Sequence, residues 1–360
     1  MEIWASGVPA PRGIVHVARE TEENGWDGLN VVDSQNLAAD PFVALAMAAT
    51  ATTTLKLGTG VSNGVTRTAA VLASCCATVN SVSRGRMVMG IGRGDSALAY
   101  IGRGPARLGS FERYLRHLQA YLTGGEVPFD ELIDLPVTVA PAVAELDLAH
   151  APDSSRINWI GPAIERDGKV PVEVASTGPK VIAIAARHAD RVMFALGASP
   201  ERIQWGIDLV KAARREAGLD PDGIAFGAYV SSACHTDIHE ARELVRGSLT
   251  VAARFAVMHG KTSGPLSDKS EAVMQSLREA YDMQKHTHGD SAQAGVLTTD
   301  FIDEYAAVGR PEVVVDKLRA LKDMGLTKIV LNGNWRSAQD EAAQISKHLL
   351  EREVLPSVRR

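Results

Sequence analysis

Residues 55–95 read LKLGTGVSNGVTRTAAVLASCCATVNSVSRGRMVMGIGRGD. Leu55–Val61 is a short, mainly apolar run and reads as a strand. Thr68–Ser83 reads as a helix of small and branched residues, closed by Arg84-Gly85. Arg86–Ile91 (RMVMGI) is a second strand. Strands joined by a helical crossover lie parallel, and strands apolar on both faces are buried on both. The two strands end on small and polar residues, Gly60-Val61-Ser62-Asn63 and Gly92-Arg93-Gly94-Asp95. The stretch is one β-α-β unit with its polar residues at the strands' C-terminal ends.

The same unit repeats outward. Upstream, Glu2–Ser6 is a strand, Pro11–Asn24 a helix stopped by Gly25, and Gly28–Asp33 a strand. Pro41–Thr53 is a helix with Asp40 as N-cap and Pro41 at its first position. Downstream, Ser110–Leu122 is helical. The periodicity then fails over about 126–168, read as an irregular insertion holding a short hairpin. Alternation resumes with strands Val170–Ala175, Arg191–Leu196, Ile224–Ser232 and Lys328–Leu331. The helices are Pro179–His188, Pro200–Ala217, Ile238–His259, Pro311–Met324 and Ala338–Glu351. A second, helical insertion is expected over about 261–300. Eight strands, each followed by helix, predict an α/β fold: a TIM (β/α)8 barrel, with insertions after strand 4 and after strand 7, as one domain over 1–360.

Composition narrows the function. The chain has 360 residues, 45% of them hydrophobic, and a net charge of -5, so no basic field exists for nucleic acid. Uncharged apolar runs stop short of a membrane span. Met1-Glu2-Ile3-Trp4 has no basic region leading into an apolar one, so no signal peptide is expected, and the three cysteines form no disulfide framework; both fit the cytoplasm. A small-molecule substrate is the expected partner.

In a barrel the active site lies at the C-terminal strand ends. These include Asp33-Ser34-Gln35, Gly60 to Asn63, Gly92 to Asp95, Ser176-Thr177-Gly178-Pro179 and Asn332-Gly333-Asn334-Trp335. Ser176 to Lys180 follows a strand and opens a helix, where free N–H groups suit a phosphate; an ordinary helix cap reads the same way. Gly90-Ile91-Gly92-Arg93-Gly94 lacks the G-x-G-x-x-G spacing and instead lets backbone approach a ligand, or turns the chain. Arg93, Arg103, Arg107 and Arg113 can steer an anionic tail or merely sit in solvent. His286 and His288 share no helical face, so a metal site is not expected. No G-x-S-x-G elbow is present, and Cys75-Cys76 reads as packing.

Three motifs carry a family resemblance: Gly58-Thr59-Gly60-Val61-Ser62-Asn63 with Thr66-Arg67; Ser83-Arg84-Gly85-Arg86 through Asp95; and Ser176 to Lys180 with Ala185-Ala186-Arg187-His188-Ala189-Asp190. The chain resembles the luciferase-like monooxygenase superfamily over essentially its whole length. It is most similar to the branch that uses the deazaflavin coenzyme F420, to which methylenetetrahydromethanopterin reductase belongs. The resemblance implies a non-prolyl cis peptide at Gly60–Val61, against the central ring of the cofactor. It places Asp33 and Ser34 near the cofactor head or substrate face, and Asn63 at the ring's polar edge. Gly92, Arg93, Gly94 and Asp95 would meet the cofactor chain, and Ser176, Thr177, Gly178 and Pro179 its phosphate. The reductases carry a glutamate in strand one where this chain has Ser6, a departure that separates it from their route.

The expected reaction is hydride transfer between the deazaflavin C5 and a small organic substrate, with Asp33 the candidate acid or base. The same barrel also supports an FMN-dependent monooxygenase using oxygen, or a flavoprotein with no catalysis. The resemblance further implies a homodimer through the second and third helices, Val43–Ala51 and Ala69–Val82.

Overall fold

The computed structural model describes residues 1–133, 135–258, 260–333 and 339–359. Eight strands form the barrel: β1 Glu2–Gly7, β2 Gly28–Val31, β3 Lys56–Thr59, β4 Met87–Gly92, β5 Val172–Ser176, β6 Arg191–Phe194, β7 Ala225–Cys234 and β8 Leu326–Asn332. Each pairs in parallel with the next, and β8 pairs with β1, so the sheet closes with no free edge. The expected (β/α)8 barrel is present.

The helices around it are α1 Ile14–Glu23, α2 Pro41–Ala51, α3 Ala69–Ser83, α4 Leu108–Leu122, α5 Pro179–His188 and α6 Pro200–Glu216. Their ends follow local chemistry. The Asp40 carboxylate accepts from the N–H groups of Phe42 (2.9 Å) and Val43 (3.0 Å), which starts α2. Arg84 takes a left-handed conformation (φ 58°) and Gly85 follows at φ 84°, which ends α3 and turns the chain into β4. The helices' inner faces and the strands' outer faces make one apolar layer running from Ile3 to Val358.

Inside the barrel, Trp4, Val88, Met193 and Val330 pack together with Tyr229 at their side. Trp4 fits because β2 opens on a glycine: a Cβ at Gly28 would stand 2.4 Å from the indole. The interior is also charged. Lys328 Nζ lies 2.7 Å from Glu173 Oε2 and 3.2 Å from the centroid of the Trp4 ring. Arg191 holds the other Glu173 oxygen.

Two segments depart from simple alternation. Between α4 and β5, Val127–Pro128 pairs antiparallel with Ser154–Ser155, and an unexpected helix, Ile160–Asp167, packs on α3. Between β7 and β8 the excursion is larger than the periodicity suggested. It contains α7 Ile238–Val257, α8 Asp268–Ala280 and the helix Thr299–Tyr305. A short strand, Ala307–Gly309, then returns beside Ser232, Ala233 and Cys234 at the C-terminal end of β7. Only afterwards does α9 Pro311–Asp323 lead into β8. So α7 packs against the end of β7 and leaves the flank beside β7 and β8 to α9. It belongs to a cap with its own apolar core, including Leu244, Leu249, Met274, Leu277, Phe301 and Ile302. A last helix, α10 Glu341–Leu349, continues through Leu350–Val354 into Leu355–Arg359. His259, Asn334, Trp335 and Ala338, expected at element ends, lie outside the described residues.

Candidate functional site

The C-terminal strand ends and the cap enclose the candidate site. β2 delivers Asp33, which is 2% exposed. Its Oδ1 accepts from Gln35 Nε2 at 2.5 Å, and its Oδ2 from Ser62 Oγ at 2.5 Å and Arg67 Nη1 at 2.7 Å. Arg67 also reaches Asp40 and lies over the Phe42 ring. Desolvation opposes its charge, but the two carboxylates outweigh it and hold the guanidinium above its ordinary range. Asp33 is thus a carboxylate bound on both oxygens, a strut for the loops after β2 and β3. Ser34 is half-buried next to it, and its carbonyl accepts from the N–H groups of Leu37 and Ala38.

β3 ends at Thr59, and the following Gly60–Val61 peptide is cis. Ser62–Asn63 then rejoins the sheet beside Ile91 and Gly92 of β4. Asn63 is buried, and its Oδ1 accepts from the N–H groups of Val65 (3.0 Å) and Thr66 (3.1 Å), which folds the turn leading to Arg67. Beneath Gly60 lies Asn30, whose buried amide has neither donor nor acceptor satisfied among the described residues. A Cβ on Gly60 would stand 3.0 Å from Asn30 Cβ.

Gly92 and Gly94 thin the wall at the end of β4. A Cβ on Gly92 would lie 3.2 Å from Val61 Cγ2 and 3.8 Å from Ala175 Cβ, so these apolar groups close on the glycine and form a flat apolar wall there. Gly94 has φ 86°, and a Cβ would strike Leu98 at 2.5 Å. Arg93 turns back on its own loop, its Nε donating to the Ala106 carbonyl at 2.6 Å, and burial lowers its pKa from the ordinary arginine value. Asp95 is ion-paired to Arg254 of α7, which ties the β4 loop to the cap.

Across the mouth, Ser176 Oγ and Thr177 Oγ1 donate to backbone carbonyls of Val174 and Ala195, at 3.3 and 3.4 Å. Gly178 is the N-cap of α5 and Pro179 its first residue, and no side chain caps this helix. The N-terminus of α6, at Ser199 and Pro200, is likewise without a side-chain cap. The starts of α1, α4 and α9 also lack one, whereas α2, α3, α7, α8 and α10 each have one. Arg202, in the first turn of α6, is 1% exposed. It donates to the carbonyls of Leu196 and Pro265, while its Nη2 is buried without a partner among the described residues. Two uncapped helix ends and a part-satisfied guanidinium make an electropositive corner suited to an anion.

The structure thus gathers the expected residues at one end of the barrel. Among the described residues Arg103 bonds only locally, to the Gly102 carbonyl at 3.2 Å, and the cysteines are free thiols, those of Cys76 and Cys234 pushed up by burial. Arg67, Gln35 and Ser62 were legible as neighbours of strand ends. Asn30, Arg202 and Arg254 were not, because buried polar residues inside strands and helices carry no periodic signal. Among the described residues no helix is long and apolar enough to cross a membrane, and no three His, Cys, Asp or Glu side chains gather as metal ligands.

Residues 3–328 match the model of the luciferase-like monooxygenase family. A 5,10-methylenetetrahydromethanopterin reductase of Methanolobus tindarius is 25% identical over 329 residues, 88% of this chain and 89% of that one. Among solved structures, the coenzyme F420 dependent tetrahydromethanopterin reductase from Methanopyrus kandleri superposes with a TM-score of 0.68 at 21% identity, covering 99% of this chain and 98% of that one. An F420-dependent secondary alcohol dehydrogenase, solved with an F420-acetone adduct, gives 0.71 at 18% identity, covering 100% and 99%.

Proposed function

Since the chain belongs to the luciferase-like monooxygenase family, we propose that this oxidoreductase uses coenzyme F420 to exchange a hydride with a small organic substrate. The observation that carries the reading is the pairing of an apolar wall with an anion corner. Gly92, Val61 and Ala175 form the wall, and the uncapped starts of α5 and α6 with Arg202 form the corner. A planar ring bearing a phosphorylated chain has these two needs. The residues present fit the deazaflavin: Gly60, Val61 and Asn63 at the ring, Gly92 to Asp95 along the chain, and Ser176 to Pro179 at the phosphate.

When bound, the deazaflavin supplies or accepts a hydride at C5. The protein's own part is positional. Asp33 and Arg67 fix the loops after β2 and β3, Asn63 holds the turn behind the ring site, and the cap excludes water. Asp33 is read as a positioning residue, because both oxygens are already engaged. The whole chain is read as one domain whose cap is an elaboration of the barrel. Val43, Met47, Val71 and Val82 are exposed along α2 and α3, which supports a homodimer through that face.

Fluorescence titration of the purified protein with F420 and, separately, with FMN tests the cofactor. Tight binding of F420 with weak FMN binding is expected. Preference for FMN moves the function to oxygen-dependent monooxygenation, and binding of neither overturns the reading.

A further inference from the structure

Reduction of a carbonyl needs a proton as well as a hydride, and Asp33 has no free oxygen to bring one. The cap presents another group. Tyr281, just beyond α8, lies with its ring 4.5 Å from the Arg254 guanidinium, which is itself paired to Asp95 of the β4 loop. The Tyr281 hydroxyl is 2.7 Å from His286 Nδ1.

The turn carrying this pair is fastened to the mouth. Tyr100 O–H donates to the Met283 carbonyl at 3.0 Å, and the Tyr100 carbonyl accepts from Asn36 Nδ2 at 3.1 Å. Asn36 lies three residues beyond Asp33. Loops after β2 and β4 and the excursion after β7 therefore meet around Tyr281 and His286.

No other described histidine is placed this way. His117 is bonded to Glu131, His188 to Glu112, and His235 to the backbone of Asp237. His16, His150, His239, His288 and His348 are exposed. His286 is half-buried, and nothing among the described residues bonds its Nε2.

We propose that His286 is the catalytic group that gives a proton to the substrate oxygen, and that Tyr281 positions and recharges it. This role rests on the F420 reading above. Tyr281 O–H donates to Nδ1, which leaves the imidazole proton on Nε2. As the carbonyl carbon takes the hydride supplied by the reduced deazaflavin, the Nε2–H bond breaks and an O–H bond forms on the substrate. Nδ1 takes the phenolic proton while solvent passes one to the Tyr281 oxygen; burial raises the phenol well above its ordinary value, so the hydroxyl is restored in the same relay. Oxidation of an alcohol runs the same steps backwards. The charged groups around the imidazole are Asp95 from the β4 loop and Arg254 from α7, and burial keeps its pKa below the ordinary histidine value.

The test is NMR of protein carrying 13C- and 15N-labelled histidine, titrated with oxidised F420 while cofactor fluorescence is followed in the same samples. The His286 signal is identified by its loss in H286Q. It is expected to report the Nε2–H tautomer in the wild type and a tautomer mixture in Y281F. It is also expected to shift with the midpoint of the fluorescence change, while His117 and His188 stay in place. F420 bound with His286 unmoved, or a tautomer unchanged in Y281F, overturns the proposal and leaves the cofactor reading intact. Failure of F420 to bind removes the cofactor reading, and the role of His286 with it.

Discussion

Arg67 Nη1 stands 2.7 Å from Asp33 Oδ2, a pair buried on the aspartate side and joining the loop after β2 to the turn after β3. Asp33→Asn removes the charge and leaves the guanidinium with only Asp40, which is largely exposed. Breaking a buried pair this way costs about 3 kcal/mol. The expected result is a lower urea midpoint together with weaker F420 binding. Unchanged stability with turnover alone abolished would restore Asp33 as the acid or base.

Gly92→Ala puts a methyl 3.2 Å from Val61 Cγ2, on the apolar wall read as the ring site. A neighbour must give by only a few tenths of an ångström, so the melting temperature should move little. Affinity for F420 should fall by about tenfold, equivalent to about 1.4 kcal/mol. Equal affinity in the fluorescence titration would place the ring elsewhere.

Gly178→Asp separates stability from binding. The position is extended (φ -93°, ψ 155°), and the nearest atom to an added Cβ is Ser263 Oγ at 3.8 Å, so the side chain fits and can cap α5. Asp in place of Gly at an N-cap gains a few tenths of a kcal/mol. The same carboxylate occupies the N–H groups that a phosphate would take. Thermal stability should rise slightly while F420 affinity drops at least tenfold by the same titration.

Lys328 is fully buried, and desolvation lowers its pKa from the ordinary 10.5 to about 8 despite Glu173. Between these values the unfolded chain holds a proton that the folded chain has released. Stability contributed at this site therefore rises as pH climbs through that window. Urea unfolding of the wild type and Lys328→Met at about pH 7.5 and about pH 9.5 checks the sign. The difference should shift in favour of the wild type at the higher pH, and a constant difference would mean that Lys328 does not titrate there.

Val71 on α3 and Val43 on α2 are 51% and 62% exposed. If this face joins two copies, Val71→Glu places a charge in an apolar interface. Light scattering on a sizing column should show a dimer for the wild type and a monomer for the variant. A monomeric wild type would remove the dimer.

The barrel was readable because its determinants are local. Asp40 and Pro41 start α2, Arg84-Gly85 ends α3, and apolar runs at β3 and β4 require burial on both faces, whatever the rest of the chain does. The candidate mouth followed, since the fold fixes which end of each strand is functional. What surrounds the mouth was not readable. Ile238–Val257 has the periodicity of a barrel helix, because periodicity reports that one face is buried and not against what; only the return of Ala307–Gly309 beside the end of β7 makes it a cap. Asp95 meets Arg254 across 159 residues, and Tyr281 reaches His286 through a turn without regular spacing. Sequence determined the scaffold through short-range chemistry. Tertiary structure decided which distant polar groups face one another, because burial of the cap's separate apolar core sets their positions.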